Sequence, residues 1–539
     1  MLEKLSPAQR LIIFFLVLFV FFALYNRYIV QPQAEAQQAA AAAQLKAQEP
    51  QIVDENAAPI VQNDLSAPSI ATAQTPFMPD PTPALARVKT AVYDLAFDKQ
   101  GRVRQVTLTN SVFTGEDHKQ LELLDPSKPL PLELRFNDRA IHQAANSSEF
   151  PYSASADFID ASEREAAILL TQTIKDLNLT ITKEIVFYPD GHYDLKVNAQ
   201  GAGDYFVSVG FRPSAEIDPM TVQGVLVEAN GKVDTIEDGE AKTGNKVWKA
   251  SMVSAFDRYY ASLLYNYGQP FDVYMNAIGD NQPLAFVHGV GEIELGGYIG
   301  PKYVSVLASI HPNLTNAVEY GFFTFLSRPL FTVLEWIKSI VPNWGWSIVI
   351  FTLLVKILLF PLSHKGMVSM AKLKHLAPRM KELQERYKDD KQKLQVHMME
   401  LYKRHGANPL GGCLPLLMQI PIFFAIYRVL LNAIELKGAS WLYIGDLSLR
   451  DPFFVLPILM GATMWFQQRI APSNFTDPIQ EKIFKYLPLI FTAFFLFFPA
   501  GLVLYWLVNN LVSIAQQWYV NRRMALEKTH SKEEKSEKN

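Results

Sequence analysis

Six apolar stretches of this chain are suited to fold in lipid, whereas the segments between them are suited to fold in water. One lies near the amino terminus, and five follow at residues 346–362, 414–431, 453–466, 483–498 and 502–518. A bilayer core is crossed by ~20 helical residues, and lipid offers no partner to backbone polar groups, so such stretches must be helical. The sequence therefore predicts six membrane spans, several of them short or interrupted by proline.

The amino-terminal stretch, residues 11–24, follows Lys4 and Arg10, which is also typical of a cleavable signal peptide. Its apolar character continues to Val30. This gives ~20 residues, enough to cross a bilayer. We interpret residues 1–30 as an uncleaved transmembrane anchor, with a signal peptide as the alternative.

Between the anchor and the later spans the sequence changes character twice. Residues 31–85 are rich in Ala, Gln and Pro and predict a disordered linker. Residues 86–305 contain short alternating runs, such as 185–188 and 193–197 on either side of a Pro-Asp-Gly turn. They predict a large antiparallel β-sandwich. Because the chain has one cysteine, no intrachain disulfide is possible, and this domain must rely on its apolar core.

Charge is distributed unevenly between these parts. Residues 31–320 carry 37 acidic and 21 basic side chains, whereas residues 363–412 carry 11 basic and 5 acidic ones. The tail at 521–539 has 6 basic and 4 acidic residues. Because basic loops stay on the cytoplasmic side, this pattern predicts cytoplasmic termini and a periplasmic location for residues 31–345.

Two amphipathic regions flank the second span. Residues 322–341 predict a helix in the membrane interface, although packing against the sandwich would explain the same periodicity. Residues 368–405 predict an antiparallel coiled-coil hairpin with two apolar seams, Leu373, Leu376, Met380, Leu383 and Tyr387 on one helix and Leu394, Met398 and Leu401 on the other. Its basic outer surface suits either simple solvation or docking to an acidic partner such as ribosomal RNA.

Several polar side chains fall inside the predicted spans, where burial in hydrocarbon is costly. Lys356 lies one turn after Thr352 on the same helix face, and it either reaches the nearby interface or faces a wet cavity. The other polar positions are Gln419, Thr463, Gln467, Asn509, Ser513 and Gln516. Each alone is typical of helix–helix contacts, but together with an intramembrane lysine they favour a hydrated pocket.

Enzyme signatures are missing from the sequence. It contains no His-Glu-x-x-His or Gly-x-Ser-x-Gly motif, and residues 239–246 resemble a phosphate-binding loop without its lysine and hydroxyl residue in place. We therefore predict that the chain is not an enzyme and needs no cofactor.

Four motifs resemble one known family. They are Asn-Pro-Leu-Gly-Gly-Cys-Leu-Pro-Leu-Leu-Met-Gln-Ile-Pro-Ile-Phe at 408–423, Phe-Pro-Ala-Gly-Leu-Val-Leu-Tyr-Trp at 498–506, Asn-Trp-Gly-Trp-Ser-Ile at 343–348 and Asp-Asp-Lys-Gln at 389–392. Together they are similar to the YidC, mitochondrial oxidase-assembly and thylakoid albino-type insertase family. The amino-terminal span and the large soluble domain match its Gram-negative form.

The resemblance implies a membrane α-helical protein of the bacterial inner membrane, with a five-helix insertase core at 346–520 and a periplasmic all-β supersandwich. The core would enclose a hydrophilic groove open to the cytoplasm and to lipid but closed to the periplasm. Such a protein inserts and helps to fold new inner-membrane proteins. Its implied partners are nascent membrane proteins, the translating ribosome, the Sec translocon with its accessory subunits, and the lipid bilayer.

The resemblance also assigns substrate-contacting positions: Thr352, Gln419, Phe423, Met460, Phe494 and Trp506. Lys356 stands where bacterial members usually have arginine, which keeps the charge but not the bidentate geometry. Trp506 replaces a tyrosine common in close relatives. Two other functional classes remain open at this point. One is a secondary transporter that uses Lys356, and the other is a periplasmic sugar-binding or sugar-converting enzyme suggested only by analogy of fold.

Overall fold

The computed structural model describes residues 83–113, 119–213, 215, 221–242, 247–388, 390–405, 414–470 and 478–537. The predicted anchor at 1–30 and nearly all of the linker at 31–85 lie outside these residues. The described chain divides into a β unit, which ends at Glu319, and a helical unit, which begins at Tyr320.

The described part of the β unit forms eighteen strands and two short α-helices. The strands are β1 (Ala86–Lys89), β2 (Tyr93–Phe97), β3 (Val103–Leu108), β4 (Leu134–Phe136), β5 (Ser153–Ala154), β6 (Phe158–Asp160), β7 (Ala166–Ile174), β8 (Leu179–Phe187), β9 (His192–Gln200), β10 (Asp204–Ser208), β11 (Gly224–Ala229), β12 (Lys232–Glu237), β13 (Val247–Ala250), β14 (Met252–Phe256), β15 (Tyr260–Tyr265), β16 (Phe271–Ile278), β17 (Gln282–Val290) and β18 (Glu292–Pro301). The helices are α1 (Arg139–Ala145) and α2 (Val304–Ile310).

These strands pair into three sheets. The largest has the order β12-β11-β14-β15-β18-β9-β8-β7-β5, the second β13-β16-β17-β10-β4 and the third β3-β2-β1-β6. All pairings within them are antiparallel except that of β1 with β6. The predicted hairpin is confirmed, because β8 and β9 pair up to Phe187 opposite Tyr193, and Gly191 in the turn adopts a φ of +89°.

A buried lysine connects the three sheets. The Nζ atom of Lys183, in β8, donates hydrogen bonds of 2.8 Å to the carbonyl oxygens of Gly101 and Leu132. Gly101 lies in the turn between β2 and β3, and Leu132 lies just before β4. The ammonium group also lies 4.8 Å from the centre of the Tyr152 ring. Lys183 is fully buried, so each of its contacts takes the place of water.

The β unit carries the features of a domain that folds by itself. Its core is built from apolar and tyrosine side chains, and it continues past the last strand to the buried Leu307, Leu314 and Ala317. We expect residues 83–319, expressed alone, to give a β-rich circular-dichroism spectrum and a cooperative unfolding transition without metal or disulfide. An unfolded spectrum, or folding that requires metal, would contradict this expectation.

The described part of the helical unit contains seven α-helices: α3 (Thr324–Ile340), α4 (Trp344–Arg386), α5 (Lys391–Arg404), α6 (Leu414–Asn432), α7 (Val455–Ile470), α8 (Pro478–Phe495) and α9 (Ala500–Glu537). One segment among the described residues, Trp344–Ser369, is long and apolar enough to cross a membrane. The segments Gln419–Asn432 and Lys485–Phe495 are apolar but shorter. The other predicted spans therefore stay predictions.

Helix boundaries differ from those read in the sequence. The predicted span at 346–362 and the first arm of the predicted hairpin at 368–405 form one continuous helix, α4. The last predicted span likewise continues through the predicted tail at 521–539 as α9, as far as Glu537. The reason is that a change from apolar to charged residues alters the solvent but does not interrupt backbone hydrogen bonding.

Helix α3 lies at the place predicted for an interfacial helix at 322–341. Phe331, Leu334 and Ile337 are buried, whereas Ile340, three residues after Ile337, is exposed. Trp336 is exposed as well. The helix thus carries apolar side chains on its exposed surface as well as on its buried face.

Candidate functional site

Lys356 is the centre of a buried polar contact between α4 and α9. Its side chain is 7% exposed, and its Nζ atom donates a 2.8 Å hydrogen bond to Ser513 Oγ. Among the described residues no carboxylate forms an ion pair with it. Thr352, one turn earlier, is buried too, but its hydroxyl donates to the carbonyl of Ile348 in its own helix. The predicted Lys356 and Thr352 pair thus shares a face, while only the lysine reaches across to another helix.

Two further predicted residues extend this contact to a third helix. Ser513 Oγ donates to the carbonyl oxygen of Asn509, and Gln419 Nε2 in α6 donates to Asn509 Oδ1 at 3.1 Å. A chain of hydrogen bonds therefore runs from α4 through α9 to α6. We name Lys356, Ser513, Asn509 and Gln419 the polar ladder.

The sequence interpretation identified only some of the other polar residues that α9 buries. The predicted Gln516 is half-buried, and its Oε1 atom is buried without a hydrogen-bond partner in the described structure. Asn510 and Gln517, which the sequence interpretation omitted, are more deeply buried. Their spacing with Ser513, three residues before it and four after it, is the helical signal that identifies them.

An aromatic cluster lies next to the polar ladder on α9. The Trp506 ring contacts Phe423 of α6 edge-to-face, with centroids 4.5 Å apart, and Phe495 of α8 at 5.1 Å. Phe491 lies 6.4 Å from the same ring. The predicted Phe494 is 48% exposed and contacts Phe498 instead, so it lies on the outer side of α8. Trp506, Asn509 and Ser513 follow at helical spacing, so one face of α9 changes from aromatic to polar along its length.

The predicted residues of α7 lie in helix packing. Met460 is fully buried, and the Thr463 hydroxyl donates to the Met460 carbonyl oxygen. Gly461 lies so close to Thr492 of α8 that a Cβ atom would overlap the threonine side chain. Gln467 is half-buried near the end of α7. No described hydrogen bond joins these residues to the polar ladder.

The sequence interpretation also missed a second cation in an apolar stretch. Arg428 lies in α6, within the predicted span at 414–431, and is half-buried. It is recognisable in the sequence as a charge in an otherwise apolar run. Helix α3 packs on the same helix, because Ser327 Oγ donates to the Ala425 carbonyl oxygen, and Phe323, which immediately precedes α3, stacks on Phe424.

The predicted helical hairpin is formed by the last part of α4 and by α5. Leu376 and Met380 are buried, and Met398, Leu401 and Tyr402 of α5 pack against them. Asp390 Oδ1 accepts a hydrogen bond from the backbone N–H of Lys393 and so caps α5. Basic side chains remain exposed on its surface, among them Arg379, Arg386, Lys388 and Lys403.

Two family models match separate parts of the chain. The family model described as 60Kd inner membrane protein matches residues 336–528, and the model of the YidC periplasmic domain matches residues 246–333. A crystal structure of an active YidC insertase with its first transmembrane domain resolved is 17% identical, with a TM-score of 0.35. It covers 80% of this chain and 91% of its own.

Curated relatives match almost the whole length. The membrane protein insertase YidC of Wolinella succinogenes is 46% identical and covers 98% of this chain and 97% of its own. The insertase of Campylobacter jejuni is 43% identical, and the match covers 97% of this chain and 98% of the relative. That of Helicobacter pylori strain 26695 is 41% identical, and the match covers 99% of this chain and 100% of the relative. The chain therefore belongs to the membrane protein insertase YidC family, whose members are inner-membrane insertases with a periplasmic domain.

Proposed function

We propose that this protein inserts newly made proteins into the bacterial inner membrane and helps them to fold, through a hydrophilic groove bounded by α4, α6 and α9. The observation that carries the proposal is the buried hydrogen bond from Lys356 to Ser513. A cation held at this depth by a neutral partner remains available to an acidic group that enters from outside. The polar ladder supplies further hydrogen-bonding groups along the same path.

The proposed mechanism requires no chemical step. The polar tail of a client would enter the groove from the cytoplasm, which shortens the hydrocarbon barrier that the tail must cross. Lys356 would attract acidic residues of the tail transiently. The apolar segment of the client would then move into lipid, driven by its own transfer free energy of ~0.8 kcal/mol per buried CH2.

We assign the client's contact surface to two kinds of residue. The polar contacts would come from Thr352, Thr463, Gln467 and Gln516 as well as the polar ladder. The apolar segment would pass along Phe423, Met460, Phe494 and Trp506. The half-exposed Phe494 supports this assignment, whereas the buried Met460 would have to be uncovered as α7 moves.

We further propose six spans, with both termini in the cytoplasm and residues 31–345 in the periplasm. The charge distribution supports this orientation. On α4 the adjacent Ile357 and Leu358 are exposed, as expected of side chains that face lipid, while Lys356 is buried.

Site-specific crosslinking tests the proposed groove. A photoreactive residue at Gln419 or Phe423 is expected to crosslink to a stalled nascent membrane protein, whereas one at the exposed Leu511 of α9 should do so much less. Purified protein in liposomes should also insert a short client without taking up solutes. Solute uptake without insertion would favour the secondary transporter, and equal crosslinking from Leu511 would reject the groove.

The translating ribosome and the Sec translocon are the proposed partners. Ribosome docking is supported by the exposed basic residues of the hairpin, Arg379, Arg386, Lys388 and Lys403, and of α9, Arg522 and Arg523. Sec association is supported by the family relationship alone.

Ribosome docking predicts salt-sensitive cosedimentation. Solubilised protein should cosediment with translating ribosomes, and neutralising six phosphates would lower affinity by roughly 10³ between 50 and 200 mM salt. Replacing the six basic residues by glutamine should abolish cosedimentation, whereas the matched changes Lys232→Gln and Lys249→Gln in the β unit should not. If binding changes neither with salt nor with these substitutions, the basic residues serve only to orient the protein in the membrane.

A further inference from the structure

The connection between α6 and α7, residues 433–454, is fixed to the beginning of α4. Asn343 Nδ2 donates a 2.9 Å hydrogen bond to the Ser440 carbonyl oxygen. The rings of Trp346 and Trp441 meet edge-to-face with centroids 5.7 Å apart. Gly345 lies directly under the Trp441 ring, where a Cβ atom would overlap it. The connection is therefore held at the level of the first turn of α4.

The same connection is fixed to α7 and α9. The buried Asp451 accepts hydrogen bonds from the backbone N–H groups of Phe453 and Leu456 and from the Tyr443 hydroxyl. The N–H of Ala500 donates to the Leu449 carbonyl oxygen at 2.7 Å. Three helix starts are thus joined by one ordered segment.

Large apolar side chains are exposed on this ordered segment between residues 442 and 454, where Arg450 is exposed too. Leu442 is 71% exposed, Phe453 68% and Leu449 57%. Tyr443 and Phe454 are exposed as well. We name these five side chains the apolar patch. In water such a patch would be unfavourable, and scattered exposure does not account for five members within thirteen consecutive residues.

Backbone conformation indicates that the patch has a purpose outside the fold. Leu442 and Phe454 adopt φ angles of 51° and 56°, in the left-handed region that favours glycine or asparagine. A large apolar residue is strained there, and strain of this kind is kept where the side chain serves a function. Because Leu442 is mostly exposed, packing inside the protein does not offset its strain.

The position of the patch identifies what covers it. The connection is bonded to the first turn of Trp344–Ser369, the segment among the described residues that is long and apolar enough to cross a membrane. The end of a span lies at the boundary between lipid headgroups and acyl chains, where aromatic and leucine side chains are favoured. We infer that the apolar patch inserts into the periplasmic leaflet and holds the starts of α4, α7 and α9 at a fixed depth in the bilayer. This lipid contact goes beyond the proposed insertion function, although it rests on the proposed orientation.

Spin labelling of the full-length protein in liposomes tests the inference. The chain has one cysteine, so Cys413→Ser gives a background for single labels at Leu442→Cys and Phe453→Cys. We expect both labels to be relaxed more by oxygen than by a water-soluble nickel chelate, as for a label at Ile357→Cys on α4. A label at the exposed polar Ser440→Cys should show the reverse.

The two reference labels separate the possible failures. The Ile357 label can be in lipid while the Leu442 and Phe453 labels behave like the one at Ser440. In that case the inferred lipid contact is rejected, and a protein partner covers the patch. If the Ile357 label is itself in water, α4 does not cross the bilayer and the proposed topology fails.

A further variant distinguishes lipid anchoring from a role in folding. Asparagine tolerates the left-handed conformation, so Leu442→Asn should leave thermal stability in detergent unchanged or higher. With a label at Leu449→Cys, the same substitution should raise nickel accessibility at least twofold in liposomes. Unchanged accessibility would overturn the inference.

Discussion

Lys356→Glu is expected to reduce insertion of clients with acidic translocated tails roughly tenfold or more, because reversing a charge near the path changes the interaction by over ~1.4 kcal/mol at an effective dielectric of about 20. Lys356→Arg should retain most activity, since the positive charge remains. Insertion is measured by protease protection of the translocated tail in liposomes that contain each purified variant.

The structure provides two controls for this experiment. Ser513→Ala removes the hydroxyl that accepts the Lys356 hydrogen bond but leaves the charge, so it should affect acidic clients much less than Lys356→Glu. Clients with neutral tails should be inserted similarly by all three variants. If Lys356→Glu inserts acidic clients as well as the unchanged protein does, Lys356 has no electrostatic role in insertion.

Local periodicity predicted much of what the structure contains. Alternation on either side of the Pro-Asp-Gly turn identified β8 and β9, and the apolar spacing of Leu376, Met380 and Leu401 identified the helical hairpin. Both features depend on residues that are close together in the sequence, so the amino-acid sequence alone is enough to predict them. Helix ends were predicted less well, because α4 continues through the change from apolar to charged residues at which the sequence suggested a boundary.

Contacts between distant parts of the chain were not predictable in the same way. Lys356 and Ser513 were each identified as polar residues in apolar helices, but they are separated by 157 positions. Nothing in the local pattern indicates which helices pack together. The same limitation applies to the aromatic cluster, because the contacts of Phe491 and Phe495 with Trp506 are known only from the structure.

Lys183 also contacts residues that are distant in the sequence, and its replacement is the second substitution for which we expect a large effect. Lys183→Ala in residues 83–319 is expected to lower the free energy of unfolding by ~3–5 kcal/mol, because it leaves a cavity and removes the donor from two buried carbonyl oxygens. The exposed Lys175→Ala should change it by less than ~0.5 kcal/mol. Urea unfolding at pH 7 measures both, and a small effect of Lys183→Ala would show that the three sheets do not depend on this connection.

The contribution of Lys183 should also depend on pH. Burial is the main cause that lowers its pKa from 10.5 to about 7, although the nearby Asp98 opposes the shift. Between these values the unfolded chain binds more protons than the folded one, so the free energy of unfolding rises with pH across this window. Lys183→Met keeps similar bulk and removes the titration.

We therefore expect the stability difference between the unchanged domain and Lys183→Met to grow by ~1–3 kcal/mol from pH 7 to pH 9.5. Urea unfolding of both proteins at the two pH values gives this difference directly. It also cancels the titration of the other buried groups, such as Lys302, because they are common to both proteins. A difference that stays constant would mean that the two carbonyl oxygens and the Tyr152 ring keep the folded-state ammonium charged at pH 9.5. In that case the three sheets are joined by a cation, and the stability of the connection is independent of pH over this range.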